Sequence, residues 1–381
     1  MNRREFQLSL LATALGVFAT KTTAKSTETK PGVYRNPQGI AGDPSVLRKP
    51  SGEVVQYDGR YWLYFTSEGA KVNGFEARST DDFATWRDEG VVFDATGTWA
   101  RDGFWAPEGY EIDGKYYLFF SAQNAEYPWT TAEKFNIGVA VADSPAGPFK
   151  LLKDEPIFEP GYPIIDANLF IDDDGVPYLT FSRCCYKHPV ETELSEKCRR
   201  EKKFDEIEES WAYGIQLTPD FKNVVGEPTL LIRPPQKLDD QDSEWESRSV
   251  TSGEVNRRWT EGTALFKIKD TYYIAYSANY FGGDWYAVGY ATSDKPLGPY
   301  KKARNNPILE KNTQSGGIVR GVGHGNIFFS PDRSEAYYVY HARTEGNARQ
   351  CFIDKVIFHE DGSLSIDGPS VTDKPTPSFA R

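Results

Sequence analysis

The sequence predicts an all-β chain folded as a five-bladed β-propeller. Three observations carry that prediction. An aromatic-rich extended segment with a turn before it recurs five times along the 381 residues, and a fixed period of supersecondary units marks a repeat architecture. Aromatic residues make up 14% of the chain, and many sit in these runs, which favours strands over helices. Closing the repeats radially covers most strand edges, as an all-β chain of this size must do.

The five turn-and-strand copies are residues 55–65, 112–120, 171–179, 268–276 and 330–340. Asp-Gly turns such as Asp58-Gly59 and Asp113-Gly114 read as hairpins. A further strand follows each hairpin, at 75–79, 137–142, 212–217, 286–291 and 351–356. We read each unit as an inner strand, a hairpin and an outer strand, which is the four-stranded content of one blade. The propeller is expected to span 31–372, with the tail from Thr372 ending the last blade. Two polar stretches interrupt the spacing, 184–211 and 236–258. Long loops in compact domains are either functional or disordered. Here they read either as one wall of a central cleft or as solvated surface insertions.

The N-terminus has the form of an export signal. Arg3 and Arg4 supply the charge, 8–19 supplies a short apolar stretch, and small residues near Thr22 and Ala24 offer a cleavage site. Arg3-Arg4 with Phe6 looks like a twin-arginine signal. Residues 1–24 are therefore expected to be removed, leaving a periplasmic or extracellular protein. Nothing after residue 30 is apolar enough to span a bilayer, so no membrane attachment is expected once the signal is gone. A net charge of −11 argues against a nucleic-acid partner; a neutral partner such as a sugar fits better. Export permits disulfides, and Cys184 or Cys185 is placed to pair with Cys198. The alternative is four free thiols. No His stands at metal-ligand spacing from the cysteines, so zinc is not expected.

The stretch before each hairpin holds an unusual polar residue: Asp43, Glu108, Asp166, Glu261 and His324. Radial repeats bring these stretches to one axis. Three of them, Asp43, Asp166 and Glu261, begin apolar inner strands, where an unpaired charge costs several kcal/mol. A chain accepts that cost for a metal, an ion pair or catalysis. Hydrolysis of a glycosidic bond needs two carboxyl groups in different states, one protonated and one ionised. Clustered acids raise one another's pKa and so supply the protonated one.

The local contexts sharpen this reading. The stretches Asp43-Pro44-Ser45-Val46, Phe104-Trp105-Ala106-Pro107-Glu108, Ile165-Asp166-Ala167-Asn168, Glu261-Gly262, Gly323-His324-Gly325 and Tyr340-His341-Ala342-Arg343 occur in this order over roughly residues 33 to 368. Together they closely resemble glycoside hydrolase family 43. The resemblance implies a five-bladed propeller and an inverting mechanism. It makes Asp43 the general base, Glu261 the general acid, and Asp166 the residue that adjusts and holds Glu261. It places His324 near the axis, where many members hold a calcium ion through water. Chemistry of this kind requires no cofactor. Arg349 resembles the family's arginine that contacts substrate and the acid, with Arg343 as runner-up. Trp105 reads as a sugar-stacking or blade-packing residue, and Glu108, which follows it in the second inner strand, as a substrate-binding residue. Phe281, Trp285 and Tyr286 read as cleft rim or core. One departure stands out: Thr263 replaces the proline usual after Glu-Gly.

The expected activity is therefore α-L-arabinofuranosidase or β-xylosidase on plant-type poly- and oligosaccharides. Endo-arabinanase and galactan-active members are the alternatives. A retaining fructan-processing propeller is disfavoured because Gly42, not Asn, precedes Asp43. A non-catalytic sugar-binding propeller is the rival from another class; it would be expected to have lost one of the three acids.

Overall fold

The computed structural model describes residues 32–68, 72–124, 134–312, 319–344, 346 and 348–380. The export signal read in residues 1–24 lies outside them. The chain is nearly all-β. Five four-stranded antiparallel sheets follow one another in sequence, each built in simple chain order. Sheet one is Gly42–Val46, Tyr61–Thr66, Gly74–Thr80 and Arg87–Asp94. Sheet two is Asp102–Ile112, Lys115–Gln123, Phe135–Ala142 and Lys150–Leu151. Sheet three is Ile164–Ile171, Pro177–Arg183, Trp211–Leu217 and Val224–Ile232. Sheet four is Thr260–Ile268, Thr271–Ala278, Ala287–Ser293 and Lys301–Lys302. Sheet five is Arg320–Phe329, Ala336–Arg343, Gln350–Phe358 and Leu364–Ile366.

The hairpins fall where the turns were read. Asp58-Gly59 and Asp113-Gly114 both have two consecutive left-handed residues, the pairing that matches strand twist in a tight hairpin. The segments read as outer strands are instead the third strand of each sheet. A fourth strand lies outside each, and in sheets two and four it is only two residues long. Such short strands lack the apolar run that would have revealed them, and shortness also blunts an exposed edge.

The core is divided among the sheets. Leu47, Trp62 and Phe75 pack with Phe104 and Leu118 between sheets one and two. Similar clusters lie between two and three around Phe119 and Phe181, three and four around Phe170 and Tyr276, and four and five around Phe266 and Tyr338. A last cluster joins five back to one through Val46, Tyr61, Phe328 and Ile353. The first strands also touch in sequence, and the fifth returns to the first. The tail does more than end the last repeat. Lys374–Pro375 pairs antiparallel with Val33–Tyr34, and the Phe379 ring packs on Tyr61 and Phe83 of sheet one.

The two polar stretches fold together. Pro189–Val190, Ile207–Glu209 and Arg257–Arg258 form a small mixed sheet, beside the helix Glu193–Arg200, capped by Thr192 and Ser195. Leu194, Cys198, Ile207 and Val250 make its own small core. This corrects the expected disulfide: Cys198 is enclosed there, whereas Cys184 packs with Phe135 and Ile165. All four cysteines are free and buried. The stretches are joined by a fully buried ion pair between Arg258 and Glu209, to which Arg258 adds hydrogen bonds to Ser247 Oγ at 3.0 Å and the Pro235 carbonyl at 2.7 Å. No helix among the described residues is long and apolar enough to cross a membrane.

Removing one partner of a buried pair strands the other charge in a dry interior. Arg258→Ala is therefore expected to cost about 3–5 kcal/mol of stability, read by urea unfolding; a loss below about 1 kcal/mol would show that the pair does not pin this region.

Candidate active site

The first strands of the five sheets share one irregularity. Each pairing ladder breaks at the same level: between Gly42 and Ser45, Trp105 and Glu108, Ile165 and Asn168, Glu261 and Ala264, and Gly323 and Gly325. At each break one residue is left-handed: Asp43 (φ 44°), Ala106 (47°), Asp166 (62°), Gly262 (60°) and His324 (46°). A bulge of this kind bends its strand and re-aims a side chain. Non-glycine residues there cost on the order of 1–3 kcal/mol each and persist at functional sites.

These breaks set the true equivalences. Asp43, Asp166 and His324 occupy the bulge itself. Glu261 stands one residue before it, and Glu108 two residues after. The residues equivalent to Glu261 are Gly42, Trp105, Ile165 and Gly323. Two of these are glycines whose bareness makes room for another side chain. A Cβ on Gly42 would lie 2.4 Å from the Arg349 guanidinium carbon, and one on Gly323 would lie 2.6 Å from the Tyr286 ring. Their bareness lets Arg349 reach Asp43 and Tyr286 reach Glu261.

Asp43 is buried and fully engaged. Arg349 Nη1 donates to both of its oxygens, at 2.7 and 2.8 Å, and Thr66 Oγ1 donates to Oδ2 at 2.8 Å. His341 Nδ1 lies 3.1 Å and His324 Nδ1 3.3 Å from Oδ1. Burial alone would raise its pKa, but Arg349, then His324 and His341, hold it well below the ordinary carboxylate range. His341 is itself driven by burial down to about 3; it is neutral near pH 7, and its Nδ1 accepts from the Asp43 backbone amide at 3.3 Å.

Glu261 is treated in the opposite way. Burial and then the Asp166 charge push its pKa well above the usual value, and the Asp43 charge adds to this. The Tyr286 hydroxyl, donating to Oε1 at 2.9 Å, opposes the shift. Asp166 is raised by burial, with His324 opposing and Asp43 reinforcing. The Gly262 amide donates to Asp166 Oδ2 at 3.2 Å. The peptide next to Glu261 is thereby tied to Asp166.

All three acids line one cavity of about 540 Å³, together with His324, Arg349 and Glu68. Its walls are aromatic and apolar: Trp105, Ile165, Cys184, Tyr186, Trp259, Tyr280 and Phe281. Trp105 stacks on Phe135 with centroids 4.1 Å apart while also lining the cavity. Phe281 is 39% exposed and lies under the Arg349 guanidinium at 5.1 Å, at the rim.

Other expectations need correction. Glu108 does not line this cavity. Two residues beyond its bulge, it faces deeper, where Arg48 Nη2 (2.5 Å), Ser45 Oγ (3.1 Å) and Asn326 Nδ2 (3.2 Å) engage it. Arg343 donates to the Phe281 carbonyl at 2.8 Å and is not part of the cavity wall; Arg349 lines the wall and bonds Asp43 and Glu68 rather than Glu261. Trp285 lies beneath Lys311 and Arg248, away from the wall. Thr263 bonds Thr180 Oγ1 at 2.8 Å, so the hydroxyl has a buried partner and the departure from proline is locally accommodated.

A calcium ion takes six to eight oxygen ligands. Among the described residues no group of three or more His, Cys, Asp or Glu is arranged to hold a metal ion. His324 instead puts one ring nitrogen toward Asp43 and the other 3.9 Å from Asp166 Oδ1. His324 thus stands between the Asp43 and Asp166 carboxylates, and an ion held through water, as the resemblance implies, would meet it only in its second shell.

Sequence reasoning missed Tyr286 as an acid partner, and His341, Thr66, Glu68, Tyr186 and Trp259 altogether as site residues. A signal existed for two of them. His341 stood in a quoted motif, and the unusual glycines at 42 and 323 mark places where another side chain passes close.

Comparison with known proteins agrees with this geometry. Residues 38–364 match the family described as Glycosyl hydrolases family 43. A β-D-galactofuranosidase of Aspergillus niger is 26% identical over 94% of this chain and 88% of its own. A xylosidase/arabinosidase of Humicola insolens is 30% identical over 79% of this chain and 84% of its own. The crystal structure of a thermostable family-43 glycoside hydrolase superposes with a TM-score of 0.73 and 31% identity, covering 90% of this chain and 99% of that one. With the family's motifs gathered around one cavity and its match running through all five sheets, the chain belongs to glycosyl hydrolase family 43.

Proposed function

We propose that this glycosidase is an exported, inverting enzyme that releases pentose units from plant-type poly- and oligosaccharides, as an α-L-arabinofuranosidase or β-xylosidase. The observation that carries the proposal is the opposite treatment of two carboxyls in one cavity. Asp43 is held ionised by Arg349 and the two histidines; Glu261 is held protonated by burial and the Asp166 charge. An ionised group to activate water and a protonated group for the leaving oxygen are what inverting hydrolysis requires.

In this reading Asp43 takes a proton from a water as it attacks the anomeric carbon, and Glu261 protonates the departing oxygen. Asp166 keeps Glu261 protonated and fixes its backbone through Gly262. Inversion itself follows from the motif resemblance. The sheets are read as the five blades of a propeller, supported by the closed circuit of first strands and by the five inter-sheet clusters. Export rests on the pattern of residues 1–24.

The names of relatives favour the substrate class. The Humicola insolens protein is called a xylosidase/arabinosidase. The Aspergillus niger relative is called a β-D-galactofuranosidase, which favours a second reading in which the released sugar is a galactofuranose. The test is proton NMR of the first product from arabino- and xylo-oligosaccharides. Release of a pentose in the inverted anomeric form is expected. A retained anomer would overturn the roles of Asp43 and Glu261, and no pentose from any substrate would favour galactofuranosides. Asp43→Asn is expected to lower kcat about 100- to 10,000-fold, the usual range for a lost general base.

The pH profile carries a signed prediction. Activity needs Glu261 protonated, so the alkaline limb of kcat/KM follows its raised pKa. Asp166→Asn removes a like charge, lowers that pKa and moves the limb to lower pH. Tyr286→Phe removes a hydrogen bond that favours the carboxylate, raises the pKa and moves the limb to higher pH. Limbs that shift together, or not at all, would contradict the assignment of Glu261.

A further inference from the structure

We propose that Tyr186 and Trp259 form a stacking subsite for the sugar residue on the leaving-group side of the scissile bond, built by the two stretches that interrupt the repeats. The inference rests on the assignment of Glu261 as the acid. That acid protonates the glycosidic oxygen, which departs with the leaving group. Side chains flanking Glu261 on that side of the cavity therefore meet the leaving group.

Trp259 is such a side chain. It lies two residues before Glu261, and the Asn279 amide donates to its carbonyl at 3.3 Å, continuing the pairing of Thr260 with Ala278. Alternation along extended chain puts residues 259 and 261 on one face. Both line the cavity. Trp259 is 7% exposed.

Tyr186 completes the wall. Its ring meets Trp259 edge-on at 5.8 Å and also lines the cavity. It is held from behind. The Arg257 guanidinium lies 4.9 Å from the ring centre, and Arg257 Nε is fixed by Glu208 Oε2 at 2.9 Å. The other oxygen of Glu208 accepts from the Lys187 amide at 2.8 Å. Arg257 and Glu208 belong to the small mixed sheet pinned by the buried Arg258–Glu209 pair. The interrupting stretches thus preset an aromatic wall rather than a loop that must order on binding. Aromatic rings that line the cavity suit the apolar face of a neutral sugar ring.

The test compares two substrates of one sugar. In the oligosaccharide the leaving group is a sugar; in the glycosyl fluoride it is a single atom that reaches no subsite. Tyr186→Ala is expected to lower kcat/KM on the oligosaccharide at least about 10-fold more than on the fluoride, with Tyr186→Phe keeping most of the oligosaccharide rate. If Tyr186→Ala does not fold, Arg257→Ala, which frees the ring, is expected to split the two substrates in the same direction. Equal losses on both substrates, or no loss on the oligosaccharide, would overturn the subsite while leaving the hydrolase reading intact. Wild-type protein that cleaves neither substrate would overturn the pentosidase reading and the subsite with it.

Discussion

Four carboxyl groups, those of Asp43, Glu68, Asp166 and Glu261, share a cavity in which a single guanidinium, that of Arg349, lines the wall among the described residues. That shortage of positive charge governs the site. Arg349 bonds to Asp43 and, through Nε, to Glu68 at 2.5 Å; it reaches Glu261 only through its charge, and the side chain bonded to Glu261 is the neutral Tyr286. Identical chemistry therefore acquires opposite protonation. One carboxyl is kept charged by pairing, and the other is kept neutral by burial beside a like charge. Much of the surrounding structure can be read as what is needed to hold this arrangement: glycines at 42 and 323 that clear two approaches, a neutral histidine behind Asp43, and a tyrosine on Glu261.

The fold supplies the geometry through repetition with a kink. Ordinary strands would alternate side chains and send only every second residue inward. The bulge at one level of all five first strands breaks that alternation and turns Asp43, Asp166 and His324 toward the cavity. The strain is local, and the inter-sheet clusters that flank every first strand are positioned to offset it. A second polar layer lies deeper, where Glu108, Arg48, Ser45, Tyr110 and the Asn326 Nδ2 group hydrogen-bond with one another, while Asn326 Oδ1 is buried with no partner among the described residues. It stabilises the region where the strands converge and takes no part in the cavity wall.

The legible part of this in the sequence was whatever repeats. Asp-Gly turns and aromatic runs located the hairpins, and the acids at the heads of apolar strands located Asp43, Asp166 and Glu261. Glu108 misled because distance from a turn does not reveal where a bulge falls, and a shift of two residues carries a side chain from cavity to interior. The two-residue fourth strands left no periodicity to read. The interrupting stretches read equally as a cleft wall or a solvated insertion because their charges are numerous; that Arg258 and Glu209 are buried against each other depends on pairing between segments 49 residues apart. Tyr286 was seen as rim or core because an aromatic residue after a strand is ordinary. Only the missing Cβ of Gly323 hinted that its ring passes beside the acid.

The central claim is that the cavity splits its carboxyl groups between two charge states. Carbon-13 NMR of labelled aspartate and glutamate side chains, followed across the acid range, addresses it directly. At about pH 4.3, where a free glutamate is half titrated, Asp43 should be ionised and Glu261 protonated. Titration of both groups together near that pH would contradict the account.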